Sequence, residues 1–274
     1  MVKNTAKAKT IGVISIKGGV GKTTAVVNLA HVLKNNFNKK VLVVDANFSA
    51  PNLALYLGLK DYDFTLHDVL NDRVPAGDAI IKHKNGFDVI ASSLVPKKIN
   101  PYDLKNKLEH LKEYYDIILL DSSPNLNEEI LATMVASDEL LVVTTPDHPT
   151  LKSTVNAVNV AQKKNTQITG IILNKVRNKR FEVNINDVEL ATSVPVLAVL
   201  PEDIKVLEAL SKSITATAFS PNIDVSVEYK KLGGCIIGTK YIDDRLKTRF
   251  RALFNRDIQK QDINRSCMIE GLAK

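Results

Sequence analysis

One stretch constrains this chain more than any other: Ile11-Gly-Val-Ile-Ser-Ile-Lys-Gly-Gly-Val-Gly-Lys-Thr-Thr24. Its apolar, β-branched opening predicts a short buried strand. Three glycines follow, Gly18, Gly19 and Gly21, then Lys22, Thr23 and Thr24, and residues 25–33 read as helix. Strand, glycine loop and helix start together make the setting a phosphate requires. Glycines let the backbone turn tightly with its N–H groups facing inward, those of Val20 and its neighbours included, and the helix N-terminus adds partial positive charge. In this arrangement Lys22 reaches the β- and γ-phosphates and the Thr23 hydroxyl ligates Mg²⁺. Residues 18–24 are thus candidate nucleotide contacts.

The rest of the chain supplies the elements such a loop needs. Apolar runs at 41–45, 87–91, 116–121, 139–145, 168–174 and 194–200 predict further strands. Runs apolar along their whole length indicate burial on both faces, hence a mostly parallel sheet between layers of helix. Amphipathic helices are expected at 25–35, 102–113, 127–136 and 151–164, and a packing helix over 221–232 that Gly233-Gly234 would end. With no internal repeat and no low-complexity linker, the expectation is one doubly wound α/β domain over 8–235, followed by an extension over 236–274. Ligands of such sheets bind beyond the C-terminal strand ends.

The loop departs from the common G-x-x-x-x-G-K-[ST] spacing, because Ile16 stands where the first glycine would be and an extra lysine, Lys17, precedes the paired glycines. The string Lys-Gly-Gly-Val-Gly-Lys-Thr-Thr resembles the deviant Walker A of the MinD/ParA family of P-loop ATPases. The resemblance implies ATP and Mg²⁺ as cofactors, hydrolysis of ATP to ADP and phosphate that is slow without an activating protein partner, and a homodimer formed with ATP. In it Lys17 would cross the interface to the partner's nucleotide, a catalytic role shared with Lys22.

Further motifs fall in the family's order. The second strand ends in Asp45-Ala-Asn-Phe-Ser-Ala-Pro-Asn52, which resembles switch I and implies Asp45 near the Mg²⁺ shell. Family members often read Asp-x-Asp there, whereas this chain has Asn47. An amide can orient water but cannot take its proton; positioning supplies most of the catalysis in phosphoryl transfer, so Asn47 is compatible with slow hydrolysis. Asn47 could alternatively just cap the turn. The segment 52–59 resembles archaeal MinD-like members. Asp121-Ser-Ser-Pro124, closing an apolar run, has the Walker B pattern; Asp121 would hold Mg²⁺ opposite Thr23, and 122–127 would form switch II. Ser122 and Ser123 lack an evident His partner, and His148 lacks a second ligand at metal spacing. Asn174 and the Pro201-Glu202-Asp203 turn resemble the family's purine pocket. The basic loop over 175–180 is either solvated or set to touch nucleic-acid phosphates.

Charge and the tail bear on partners. The net charge is +7, which favours an anionic surface, lipid or nucleic acid, without choosing between them. No run of 18 or more apolar residues is present, and the lysine-rich N-terminus is not a secretory signal. Cys235 and Cys267 lie far apart, so reduced thiols and a cytoplasmic location are expected. Over 243–258, Leu246, Phe250, Leu253, Phe254 and Ile258 fall on one helical face among Arg and Lys. A basic amphipathic helix of this kind can lie in an anionic membrane interface, as the C-terminal helix of MinD proteins does; packing on the protein or contact with nucleic acid are the other readings. The favoured function is a MinD-like dimeric switch for spatial regulation, such as division-site or appendage placement, at the inner face of the cell membrane. A ParA-like DNA partition ATPase and a slowly hydrolysing nucleotide-dependent scaffold are the alternatives.

Overall fold

A computed structural model describes residues 7–95, 97–245 and 258–272. Its strands are β1 (Lys9–Ile14), β2 (Val41–Ala46), β3 (Ile81–Lys82), β4 (Asp88–Ile90), β5 (Ile117–Ser122), β6 (Glu139–Thr144), β7 (Gln167–Val176) and β8 (Val196–Pro201). They form an eight-stranded sheet in the order β3-β4-β2-β5-β1-β6-β7-β8. All pairings are parallel except the short β3 against β4, an edge hairpin too brief to show a period in the sequence. β2 and β5 are buried at every residue, as unbroken apolar runs predict.

Alternate residues of these strands face two separate layers. Val41, Val43, Ile117 and Leu119 pack with Val26, Leu29 and Leu33 of helix α1 (Lys22–Asn35). Leu42, Val44, Ile118 and Leu120 pack on the other face with Leu104 and Leu108 of α4 (Leu104–Leu108). Short helices α2 (Leu53–Leu57) and α3 (Leu66–Leu70) lie between β2 and β3, and α5 (Glu128–Ala136), α6 (His148–Lys163) and α7 (Ile185–Thr192) connect β5 to β8. After β8 come α8 (Ile204–Ser211), α9 (Ala216–Phe219), α10 (Asp224–Ile236) and α11 (Lys260–Leu272). No helix among the described residues is long and apolar enough to cross a membrane.

Three expectations need correction. The helix foreseen over 102–113 is α-helical only at α4, with 3₁₀ turns at Pro101–Asp103 and Glu109–Glu113. Leu104, Leu108 and Leu111 are all buried along this segment. Gly233-Gly234 does not end a helix, since α10 runs through both. These glycines permit close packing instead: a Cβ on Gly233 would lie 2.8 Å from Val32, and one on Gly234 2.5 Å from the Thr239 carbonyl. Finally, residues 243–245 of the foreseen tail helix are not helical, and Arg245 is fastened to Asp243, to Asp224 at 2.8 Å and to the Asn222 carbonyl at 2.8 Å. Residues 246–257, the core of that reading, lie outside the described residues.

The polar stretch beyond them is α11, a helix laid along β8. Arg265 is buried and donates to the Leu197 carbonyl (2.6 Å) and to Glu228 (2.9 Å), and Asn264 donates to the Val196 carbonyl (2.8 Å) and Glu189 (2.6 Å). An edge strand exposes unpaired backbone groups, and here side-chain donors satisfy them. Met268 and Ile269 join the core beside Cys235.

Candidate functional site

The C-terminal ends of β1, β2 and β5 converge because their register is parallel and in step. Val13 pairs with Asp121, and Asp121 with Asp45. The chain then leaves β1 into the glycine loop. Gly19 and Gly21 hold φ of 76° and 99°, the left-handed region open to glycine at little cost, and Gly21 is the N-cap of α1. Among the described residues no side chain caps α1, and Gly18 and Gly19 are exposed, so the start of this 14-residue helix is left open to an anion. Val20 is buried and ties the loop to the core.

Lys22 is buried at the foot of this loop. Loss of water pushes its ammonium down from the ordinary lysine value, and the nearby Asp121 carboxylate opposes that. Thr23 Oγ1 donates to Asp121 Oδ2 at 2.6 Å. Asp45 accepts N–H bonds from Asn47 and Leu53, both at 3.2 Å. Burial raises both carboxyls: Asp121 reaches about 6 against the pull of Thr23 and Lys22, and Asp45 is held well above the carboxylate range by burial and then by the charge on Asp121. Asp121 Oδ1 is buried without a hydrogen-bond partner among the described residues.

Two buried carboxyls, an unsatisfied oxygen and a hydroxyl bound between strand end and glycine loop fit a divalent cation with phosphate. No cluster of three or more His, Cys, Asp or Glu that could hold a metal occurs among the described residues. Thr23 Oγ1 and the Asp121 carboxyl are the kind of one or two protein oxygens through which Mg²⁺ is held together with phosphate and water.

Asn47 donates through Nδ2 to the Ala50 carbonyl, so it does close the turn, while its Oδ1 is buried without a hydrogen-bond partner among the described residues. Asn174 donates to the Val20 carbonyl at 2.7 Å and lies where a Cβ on Gly21 would have to go. It therefore braces the glycine loop. Pro201 ends β8, Glu202 N–H donates to the Val176 carbonyl at 2.9 Å, and Asp203 caps α8 through the Lys205 N–H. The basic loop is partly engaged: Lys175 donates to the Gly19 carbonyl at 2.8 Å, and Arg177 pairs with Glu202. Ser123 donates to Asn127, the cap of α5, and His148 is exposed at the first residue of α6.

Two features escape sequence reading. The hydroxyl of Tyr56 in α2 is pushed up by burial despite a hydrogen bond with Thr24, which links the switch I region to the loop's helix. And Lys17 Nζ donates to Thr150 Oγ1 (2.5 Å) and Asp147 Oδ1 (3.3 Å) at the start of α6.

A glycine loop between a central strand and a helix, with an aspartate near the end of the adjacent β5 and another near the end of β2 beyond it, defines a P-loop nucleoside triphosphatase. The AAA domain family matches residues 8–172. An uncharacterised ATP-binding protein of Methanocaldococcus jannaschii is 32% identical over 241 residues, covering 86% of this chain and 91% of that protein. The cell division ATPase MinD of Pyrococcus furiosus superposes with a TM-score of 0.78 at 32% identity, over 82% of this chain and 97% of that one. The septum site-determining protein MinD of Pyrococcus horikoshii, solved with Mg-ADP, gives 0.79 at 30% identity over 84% and 96%. The chain belongs to the MinD/ParA family of P-loop ATPases, with ATP and Mg²⁺ as its nucleotide and ion.

Proposed function

We propose that the protein is an ATP-dependent dimeric switch that joins nucleotide state to surface attachment, in the manner of MinD-like spatial regulation at a membrane. Lys17 carries this reading. It stands just ahead of the paired glycines, its side chain is 42% exposed, and its amine engages α6. Lys22 alone is buried under the loop. A second lysine at the outer edge, not buried under its own loop, supports the reading that it serves the nucleotide of another copy.

In this reading Lys22 and the N–H groups of residues 18–24 hold phosphate, and Thr23, Asp121 and Asp45 serve the ion. Bound ATP and Mg²⁺ supply the reactive phosphoryl group and most of the charge that offsets its oxygens. Asn47 orients water through its amide but takes no proton from it, so hydrolysis is slow. Asn174 and residues 201–203 flank the base. Residues 8–235 form the switch, and the basic amphipathic stretch at 246–258 makes the attachment. One such stretch binds weakly; two joined in a dimer bind by avidity, so dimerisation becomes attachment.

The test is sedimentation of the full chain with ATP, ADP or neither, on anionic liposomes and on duplex DNA. Deleting the tail would also strip α11 from β8, so the variant is Phe250→Glu with Phe254→Glu. ATP-dependent pelleting on lipid, lost in the variant, is expected. Salt-sensitive pelleting on DNA that survives the variant would move the reading to DNA partition. Attachment indifferent to nucleotide refutes both.

A further inference from the structure

The contact between Lys17 and α6 is built rather than incidental. Asp147 caps α6, accepting from the Thr150 N–H at 2.9 Å, from the Thr150 hydroxyl at 2.7 Å and from the Thr145 hydroxyl at 2.6 Å. The Thr150 hydroxyl gives its proton to Asp147 and offers its lone pair to Lys17 Nζ at 2.5 Å. Thr150 is fully buried, so this acceptor has a fixed place. Burial by itself would raise the Asp147 carboxyl, yet the hydroxyls of Thr145 and Thr150, the Thr150 N–H and Lys17 bring it down to about 2. It is charged at any physiological pH. The cradle is thus a fixed anion and an oriented hydroxyl, and its occupant is a flexible lysine.

We infer that Asp147 and Thr150 form an intrachain holding site for Lys17, which makes Asp147 a positioning residue that sets the threshold for dimerisation. This rests on the reading that Lys17 acts on the nucleotide of a second copy. In the free protomer the amine occupied at α6 is not available to a partner. Reaching across means exchanging the cradle for the partner's phosphates. A symmetric dimer makes that exchange twice, once per protomer. Both side chains of the ion pair are more than 40% exposed, so its own strength is modest. Losing it should favour release about two- to fivefold per protomer, hence roughly four- to twenty-fivefold in the dimer dissociation constant.

Asp147→Asn is the informative variant, because Asn is as good a helix cap as Asp and keeps an oxygen for the Thr150 N–H while removing the charge. Two measurements separate the possibilities. In the nucleotide-free protein, the rate of amine acylation at Lys17, read by mass spectrometry with Lys22 as the internal reference, should rise in Asp147→Asn and in Thr150→Val. An unchanged rate at Lys17 overturns the holding site. In sedimentation velocity with ATP, Asp147→Asn should dimerise at a several-fold lower protein concentration than native protein; equal or weaker dimerisation overturns the threshold role. Lys17→Ala keeps the two ideas apart. If Lys17→Ala dimerises and turns over like native protein, action in trans fails and the threshold fails with it. If Lys17→Ala blocks dimerisation while Asp147→Asn leaves its concentration dependence unmoved, action in trans stands and the holding site alone is lost.

Discussion

Asp121 and Asp45 are buried side by side through the register of β5 on β2, and this makes a sharp prediction for Asp121→Asn. The native carboxyl sits at about 6 against an ordinary value of 3.8. The folded protein therefore holds this proton more tightly than the unfolded chain does. The stability contributed by the protonated form is complete below about 3.8 and is lost as pH rises through about 6. At pH 8 the ionised group costs the nucleotide-free fold on the order of 3 kcal/mol. Asn keeps the acceptor for Thr23 and removes the charge, so the variant should be the more stable protein without ligand. At about 2–4 °C per kcal/mol, its Tm at pH 8 should rise by roughly 6–12 °C. Below pH 4 the two proteins should melt together. With Mg²⁺ and ATP the gap should close, since saturation at a hundredfold over Kd stabilises the native protein by about 2.7 kcal/mol and the variant, having lost an ion partner, gains less. Scanning fluorimetry across pH, with and without Mg-ATP, checks all of this. An Asp121→Asn protein that melts lower than native at pH 8 without ligand, or gains as much from Mg-ATP, would refute the account of the carboxyl pair.

Three further predictions follow from the same geometry. Asn47→Asp puts a proton acceptor where an amide now caps the turn, and single-turnover phosphate release should increase roughly tenfold or more; a native rate already equal to the variant's would remove the role given to Asn47. Gly21→Ala meets both a φ of 99° and the Asn174 amide, so it should cost about 1–3 kcal/mol and weaken ATP binding in calorimetry; simultaneous Asn174→Ala should relieve only the steric part. Arg265→Ala leaves Glu228 with Lys231 as its remaining ion-pair partner and uncovers the Leu197 carbonyl, so urea unfolding should show a loss of about 3 kcal/mol, where an exposed arginine would cost almost nothing.

Much of the molecule was legible in residue order because each signal is local. A run such as Val41 to Val44 has no polar residue to turn toward water, so it can only be buried on both faces, and a parallel sheet follows. Gly18, Gly19 and Gly21 ahead of Lys22 describe a backbone conformation and a charge within one turn of chain. Lys17, Asn47, Asp121 and the family resemblance are local in the same sense. What tertiary structure decided is whatever depends on residues brought together from far along the chain. α11 has too few apolar residues to show a helical period, since Arg265 and Asn264 bury through hydrogen bonds to an edge strand that no sequence window contains. Gly233 and Gly234 read as a stop until the neighbouring chain at Val32 and Thr239 is in place to need the space. Asp45 and Asp121 become a pair, with raised carboxyls, only through the register of β2 on β5. The same holds for Lys17: its charge is plain in the sequence, but the carboxylate and hydroxyl that receive it lie on a helix that the sheet order carries to its side.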